Sequence, residues 1–151
     1  MEYIVKRADK DSPYALFEEL SALDKLCVGA EGWSAESFRS ETEKTDGFVL
    51  YIEENGAVAA LLCGYHAVGE GDITSVAVNP EYRRRGLALR LMERFEELLP
   101  DDTESIFLEV RESNSPALAL YEKCGFSRIA VRRNFYTDPV ENAVVMSKKI
   151  M

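Results

Sequence analysis

Three arginines and a glycine, Arg83-Arg84-Arg85-Gly86, precede Leu87-Ala88-Leu89 at the point where a helix is expected to begin. The amino end of a helix carries roughly half a positive charge and four unpaired backbone N–H groups, so it favours acids and side-chain oxygens. No side chain from Arg83 to Leu89 can accept a hydrogen bond from that end, and the nearest acid, Glu81, lies before the run. Local rules are broken at functional sites, where a partner supplies the missing interaction. An anion would do so: a phosphate or pyrophosphate gripped by the exposed N–H groups, with Gly86 permitting close backbone approach. A solvated basic turn ahead of an ordinary helix fits these residues equally well. No Lys-Ser or Lys-Thr pair follows the glycine, and no G-x-G-x-x-G run is present, so neither a Walker-type nor a dinucleotide loop is encoded.

Two further side chains have proton chemistry. Glu109 interrupts the apolar strand Ile106-Phe107-Leu108-Glu109-Val110. A carboxylate desolvated at a cleft there would have a raised pKa and suit a general base. Alternatively, Phe107, Glu109 and Arg111 share an outward face and Glu109 pairs with Arg111. Tyr121 stands at helical spacing from Ala117 and Cys124. By spacing it is a core aromatic whose hydroxyl needs some partner. Asn114, before Ser115-Pro116, suits ordinary turn and cap chemistry.

The elements that must position these groups follow from pattern. Tyr3 to Ala8 reads as a strand, and Pro13 to Leu26 as a helix with Leu16, Leu20 and Leu23 on one side. Ser34 caps a short helix after Trp33. Phe48 to Glu53 and Ala57 to Tyr65 form a hairpin about Glu54-Asn55-Gly56, since Asn-Gly is a strong hairpin signal. Ile73 to Val78 is a strand closed by Asn79-Pro80. After the arginine loop, Leu87, Leu91, Phe95 and Leu98 line one face of a helix that stops at Pro100. Ile106 to Val110 is the next strand. Ser115 caps a short helix with Pro116 in its first turn and Gly125 at its stop. Phe126 to Arg133 and Ala143 to Lys148 complete the sheet. The fold class is mixed α/β, and no linker or repeat interrupts it, so residues 1–151 are expected to form a single domain.

Arg83-x-x-Gly86-x-Ala88 resembles the Gln/Arg-x-x-Gly-x-Gly/Ala signature of the GNAT N-acetyltransferases, whose loop holds the pyrophosphate of acetyl-coenzyme A (acetyl-CoA). Leu108-Glu109-Val110-Arg111-Glu112-Ser113-Asn114 and Ala119-Leu120-Tyr121-Glu122-Lys123-Cys124-Gly125-Phe126 are similar to the ribosomal-protein-alanine (RimI-type) branch of that family. Agreement continues through Arg132-Arg133-Asn134-Phe135-Tyr136, and more weakly at Gly32-Trp33-Ser34, where the family more often has Pro-Trp-Ser. The resemblance implies a mostly antiparallel sheet flanked by helices, in which the strands carrying Val78 and Glu109 part to admit the coenzyme. It implies Glu109 as base, Tyr121 as the acid that protonates the departing thiolate, and Asn114 as a coenzyme contact. It also implies that the Val76-Ala77-Val78 backbone holds the pantetheine arm, and that Arg83 to Leu89 hold the pyrophosphate. Trp33 lines the acceptor groove or simply covers the core, and Arg132 to Tyr136 shape the acceptor site or are structural.

The function implied is acetyl transfer from acetyl-CoA to a protein N-terminal amine, the N-terminal alanine of a small-subunit ribosomal protein. A small amine or a lysine side chain is an alternative acceptor, and a non-catalytic acyl-CoA-binding module is another. A pure binder needs neither Glu109 nor Tyr121. Composition agrees. The chain has 151 residues, 46% of them hydrophobic, enough to bury roughly two-thirds of its unfolded surface as one domain. A formal charge of -9 argues against nucleic acid, whose affinity comes from neutralised phosphates, and suits a basic protein N-terminus; it also suits plain solubility. His66 is the only histidine, and Cys27, Cys63 and Cys124 lack metal-ligand spacing, so no metal is expected. An odd cysteine count, no apolar signal region at the start and no apolar run near the ~20 residues of a membrane span point to the cytoplasm. A monomer or homodimer is expected.

Overall fold

The computed structural model describes residues 3–151; Met1 and Glu2 lie outside them. The fold class is mixed α/β, with seven strands, mostly antiparallel, and four α-helices among the described residues. The chain divides into two compact units, Met1–Tyr65 with Ser75–Leu99, and His66–Thr74 with Pro100–Met151.

In the first unit, β1 (Lys6–Arg7), β2 (Gly47–Glu54), β3 (Ala57–Ala67) and the second half of β4 (Glu70–Val78) neighbour one another in that order. β1 is shorter than the expected Tyr3–Ala8, because only Lys6 and Arg7 pair with β2, opposite Tyr51 and Leu50. The β2–β3 turn has both central residues in the left-handed region, Asn55 at φ 54° and Gly56 at φ 78°. That is what a two-residue hairpin turn matching the strand twist requires. β3 is buried continuously from Val58 to Gly64, which is why it reads as an unbroken apolar run rather than an alternating one. Helix α1 (Tyr14–Val28) contributes Phe17, Leu20 and Leu23 to the core, together with Phe38 of α2 (Ala35–Glu43), Val49, Leu61 and Ala77. Ser34 caps α2 as expected, accepting the Ser37 N–H at 3.1 Å. Helix α3 (Leu87–Leu98) buries Leu87, Leu91 and Phe95, with Phe95 edge-on to Phe48 at 5.6 Å between ring centres.

The second unit orders the first half of β4, then β5 (Ser105–Arg111), β7 (Val140–Lys149) and β6 (Ser127–Thr137). The β4–β5 ladder is parallel, runs from Glu70 opposite Ser105 to Ile73 opposite Leu108, and stops there. Strand β5 alternates strictly, burying Ile106, Leu108 and Val110 and turning Phe107, Glu109 and Arg111 to the other face. β7 pairs antiparallel with β5 on one side and β6 on the other. β6 is exposed along its length except at Tyr136. Helix α4 (Ser115–Lys123) buries Leu118 and Tyr121. Its cap is Asn114, whose side chain accepts the Ala117 N–H at 3.2 Å, so Ser115 is the first helical residue rather than the cap. Gly125, at φ 98°, ends this helix as expected.

Candidate active site

In the first unit the expected coenzyme residues form one continuous path: the end of β4, a single 3-10 turn (Pro80–Tyr82), the arginine loop and the start of α3. Asn79 accepts the Glu81 N–H at 3.0 Å and fixes the turn. Gly86 is the residue before the helix, left-handed at φ 78°, and Arg84 is also left-handed at φ 65°. A Cβ at Gly86 would meet no protein atom within 4 Å, so the glycine is demanded by backbone conformation and not by crowding within the protein. The first α-helical bond runs from the Arg90 N–H to the Gly86 carbonyl at 3.0 Å, and no side chain caps the end. The N–H groups of Leu87, Ala88 and Leu89 therefore precede the ladder, in a loop whose backbone changes hand twice, as anion-binding nests do.

The three arginines differ in setting. Arg85 lies over the Tyr82 ring at 5.0 Å. Arg83 lies near enough to the Cys27 thiol to lower its pKa, but burial outweighs that effect and the pKa is raised. Cys27 accordingly serves as a neutral S–H donor, directed at the Val78 carbonyl at 3.4 Å. The end of β4 is thus tied to α1.

Trp33 is half-buried, packs on Phe38 at 5.4 Å and adjoins the core. It also borders a groove of about 670 Å³ with Glu31, Ser34, Glu36 and Glu41. The preceding residue is glycine where the resemblance leads one to expect proline. Its φ of -59° would suit proline. A Cβ there would nevertheless lie 2.8 Å from the backbone N and Cα of Lys25, so the chain passes too close to α1 for any side chain.

In the second unit Glu109 lies on the outward face of β5, its side chain 28% exposed. It pairs with Arg132 of β6, Nη1 to Oε1 at 3.5 Å, and not with Arg111. Arg111 instead engages Glu141 at 3.3 Å, the carbonyls of Asp138 and Pro139, and the face of Tyr136 at 4.2 Å. Glu141 accepts the Ser113 N–H at 2.7 Å, and its carboxyl pKa is lowered first by the Ser113 side chain, with that backbone bond and Arg111 contributing less. The environment of Glu109 is thus a neighbouring cation and partial hydration, and not the dry pocket that its apolar strand suggests.

Tyr121 is 8% exposed and stands edge-on to Phe126 at 6.1 Å. Burial, with smaller contributions from Cys124 and Tyr136, pushes its phenol up to about 12. Asn114 caps the helix that carries it. His66 lies half-buried on β3. Among the described residues no three His, Cys, Asp or Glu side chains are grouped to hold a metal ion. No helix among them is long and apolar enough to cross a membrane.

A sequence model of the Acetyltransferase (GNAT) family matches residues 14–126. The chain belongs to the GNAT acetyltransferase family. It is 38% identical over 122 residues to the ribosomal protein bS18-alanine N-acetyltransferase of Escherichia coli strain K12, covering 78% of this chain and 81% of that one. An N-alpha-acetyltransferase of Saccharolobus solfataricus is 42% identical over 85 residues, 55% of this chain and 50% of the relative. Among solved structures, the Escherichia coli ribosomal-protein-S18-alanine N-acetyltransferase superposes with a TM-score of 0.80 at 29% identity, over 97% of this chain and 94% of that one. This GNAT member is therefore an acetyl-CoA-dependent N-acetyltransferase.

Sequence reasoning missed one group in the first unit. Asp24 lies on α1, 1% exposed, and accepts from the Ser75 hydroxyl at 2.5 Å and from the Trp33 N–H at 2.7 Å. The signal was its place in the apolar stripe, four residues after Leu20 and three before Cys27.

Proposed function

We propose that this GNAT enzyme acetylates a protein N-terminal α-amine, the N-terminal alanine of a small-subunit ribosomal protein, with acetyl-CoA as cosubstrate and no metal. The observation that carries the reading is 38% identity over about four-fifths of a ribosomal protein bS18-alanine N-acetyltransferase. The family match, residues 14–126, takes in parts of both units and supports one acetyltransferase domain. A ribosomal acceptor places the reaction in the cytoplasm.

In this reading Arg83 to Leu89 hold the pyrophosphate through backbone N–H groups and guanidinium charge. Backbone groups of Val76, Ala77 and Val78 pair with the pantetheine arm, and one N–H polarises the thioester carbonyl. An α-amine of pKa near ~8 is largely protonated at neutral pH, so Glu109 takes a proton from the ammonium, directly or through water, and the freed nitrogen then attacks the carbonyl carbon. The carbon–sulfur bond then breaks, Tyr121 gives its phenolic proton to the leaving sulfur, and the nitrogen releases its remaining extra proton to solvent. A thiol of ordinary pKa ~8.5 would make that last transfer uphill by roughly 3–4 units from a phenol held at about 12, about 5 kcal/mol. The burial that raises the phenol raises a thiol too, so the transfer requires sulfur in equally dry surroundings.

A small first residue leaves the amine free to approach the thioester, and the charge of -9 favours a cation soon after it. The test compares kcat/KM for Ala-Arg and Ala-Glu peptides, their N-blocked lysine-containing forms, and spermidine, at two salt concentrations. Ala-Arg peptides are expected to be best, with the advantage shrinking in salt. Faster turnover of spermidine, or equal turnover of blocked peptides, overturns the N-terminal acceptor and leaves the acetyltransferase assignment standing.

A further inference from the structure

The end of β4 lies in the first unit and includes Val76, Ala77 and Val78. Backbone donors that polarise a reacting carbonyl have to be held to within about half an ångström. Helix α1 supplies side-chain anchors on either side of this stretch. Ser21, Asp24 and Cys27 are three residues apart and share one helical face. Asp24 receives the Ser75 hydroxyl at 2.5 Å, and Cys27 donates to the Val78 carbonyl at 3.4 Å, so Ser75 and Val78 bracket Val76 and Ala77. The other Asp24 oxygen takes the Trp33 N–H at 2.7 Å, and Ser21 donates to the Trp33 carbonyl, also at 2.7 Å.

Asp24 forms no ion pair among the described residues, and its partners are a hydroxyl and a backbone amide. A carboxyl buried on neutral donors alone is costly for stability compared with an apolar side chain of similar size. Its use here is geometric. We propose that Asp24 is a positioning residue that braces the end of β4 against α1 and the Trp33 segment, fixing the Val76–Val78 backbone for the acetyl carbonyl. The proposal rests on the reading that this backbone holds the coenzyme.

Hydrogen bonding, and not charge, is what the brace needs. In Asp24→Asn the amide oxygen can keep the Trp33 N–H while its NH₂ donates to Ser75, whose hydroxyl reverses its role. In Asp24→Ala both links are lost, and Ser75→Ala removes the β4 link alone. The experiment measures amide hydrogen exchange at residues 76–78 with exchange at Leu91 to Phe95 as internal reference, then kcat and the calorimetric affinity for acetyl-CoA. Asp24→Ala is expected to speed exchange at 76–78 about 10-fold or more, leave the α3 reference unchanged, and lower kcat about 10- to 100-fold with affinity within about 3-fold. Asp24→Asn restores both readouts to within about 3-fold of wild type, and Ser75→Ala shows the local exchange change even if Asp24→Ala does not fold. Uniformly faster exchange, unchanged exchange at 76–78 in Ser75→Ala, or an Asp24→Asn protein as impaired as Asp24→Ala overturns the brace. Altered exchange in 76–78 with kcat unchanged overturns its role in positioning. Absence of turnover by the wild-type protein strikes the proposed function instead, because the exchange result stands without it.

Discussion

Arg132 reaches over β7 to Glu109, Nη1 to Oε1 at 3.5 Å, and leaves Oε2 without a partner among the described residues. One oxygen is held and the other is available to a proton donor. Arg132 is itself more than half exposed, so the pair fixes orientation more than it stabilises the fold, contributing about 1 kcal/mol or less. Glu109→Gln preserves the shape and removes the basicity. It is expected to lower kcat by about 10²–10⁴ with acetyl-CoA affinity nearly intact. Steady-state kinetics paired with calorimetry checks this; a wild-type rate would reduce Glu109 to a strand residue.

The arginine loop is probed at Gly86. Its φ of 78° strains most side chains, so Gly86→Ala and Gly86→Asn serve as references for strain and bulk, asparagine being the better tolerated there. Gly86→Asp adds negative charge beside the uncapped helix end and is expected to weaken acetyl-CoA binding about 10-fold beyond Gly86→Asn. Equal affinities for the two, by calorimetry, would remove the pyrophosphate from this loop.

Tyr121 makes a prediction about pH. With its phenol held at about 12, it is protonated throughout the neutral and mildly alkaline range. The acid form persists as pH rises through 10, so kcat should not decline between pH 8 and 10 on its account. Tyr121→Phe lowers kcat about 10²-fold at pH 8. Folding follows the same sign: stability tied to the neutral phenol is complete below pH ~10, the unfolded value, and is lost as pH rises through about 12. A wild-type kcat that falls with a midpoint near 9 in both wild type and Tyr121→Phe would assign that limb to another group.

Phe95 is fully buried beneath α3 and edge-on to Phe48. Phe95→Ala should cost about 3–5 kcal/mol in urea unfolding, and Phe95→Leu clearly less, because the cavity left is smaller. A loss below 1 kcal/mol in the alanine variant would mean the site collapses freely.

Pattern and caps carried most of the fold into the sequence. Asn55-Gly56 announced its hairpin, Ser34 its helix, and the stripe Leu87, Leu91, Phe95 its buried face. What stayed hidden was set by partners distant along the chain. Arg111 is the obvious same-face neighbour of Glu109, and only the β5–β7–β6 register brings Arg132 there instead. Ser115-Pro116 looks like a cap and first turn, yet the Asn114 side chain takes that place by bonding three residues ahead. The place of Asp24 in an apolar stripe hints at burial, but its two donors lie nine and fifty-one residues away along the chain.

Strand β6 pairs on one side with β7 and exposes Ile129, Val131 and Phe135. An open edge of that composition is a template on which another polypeptide could add. The same strand carries Arg128, Arg132 and Arg133, and its register slips between Arg128 and Ala130 and again between Arg132 and Tyr136. Charge and irregularity of this kind are how sheets discourage edge-to-edge polymerisation. Arg132, beside the candidate base, is expected together with Arg128 and Arg133 to guard this edge against polymerisation, and neutralising all three should lower the concentration at which the enzyme precipitates.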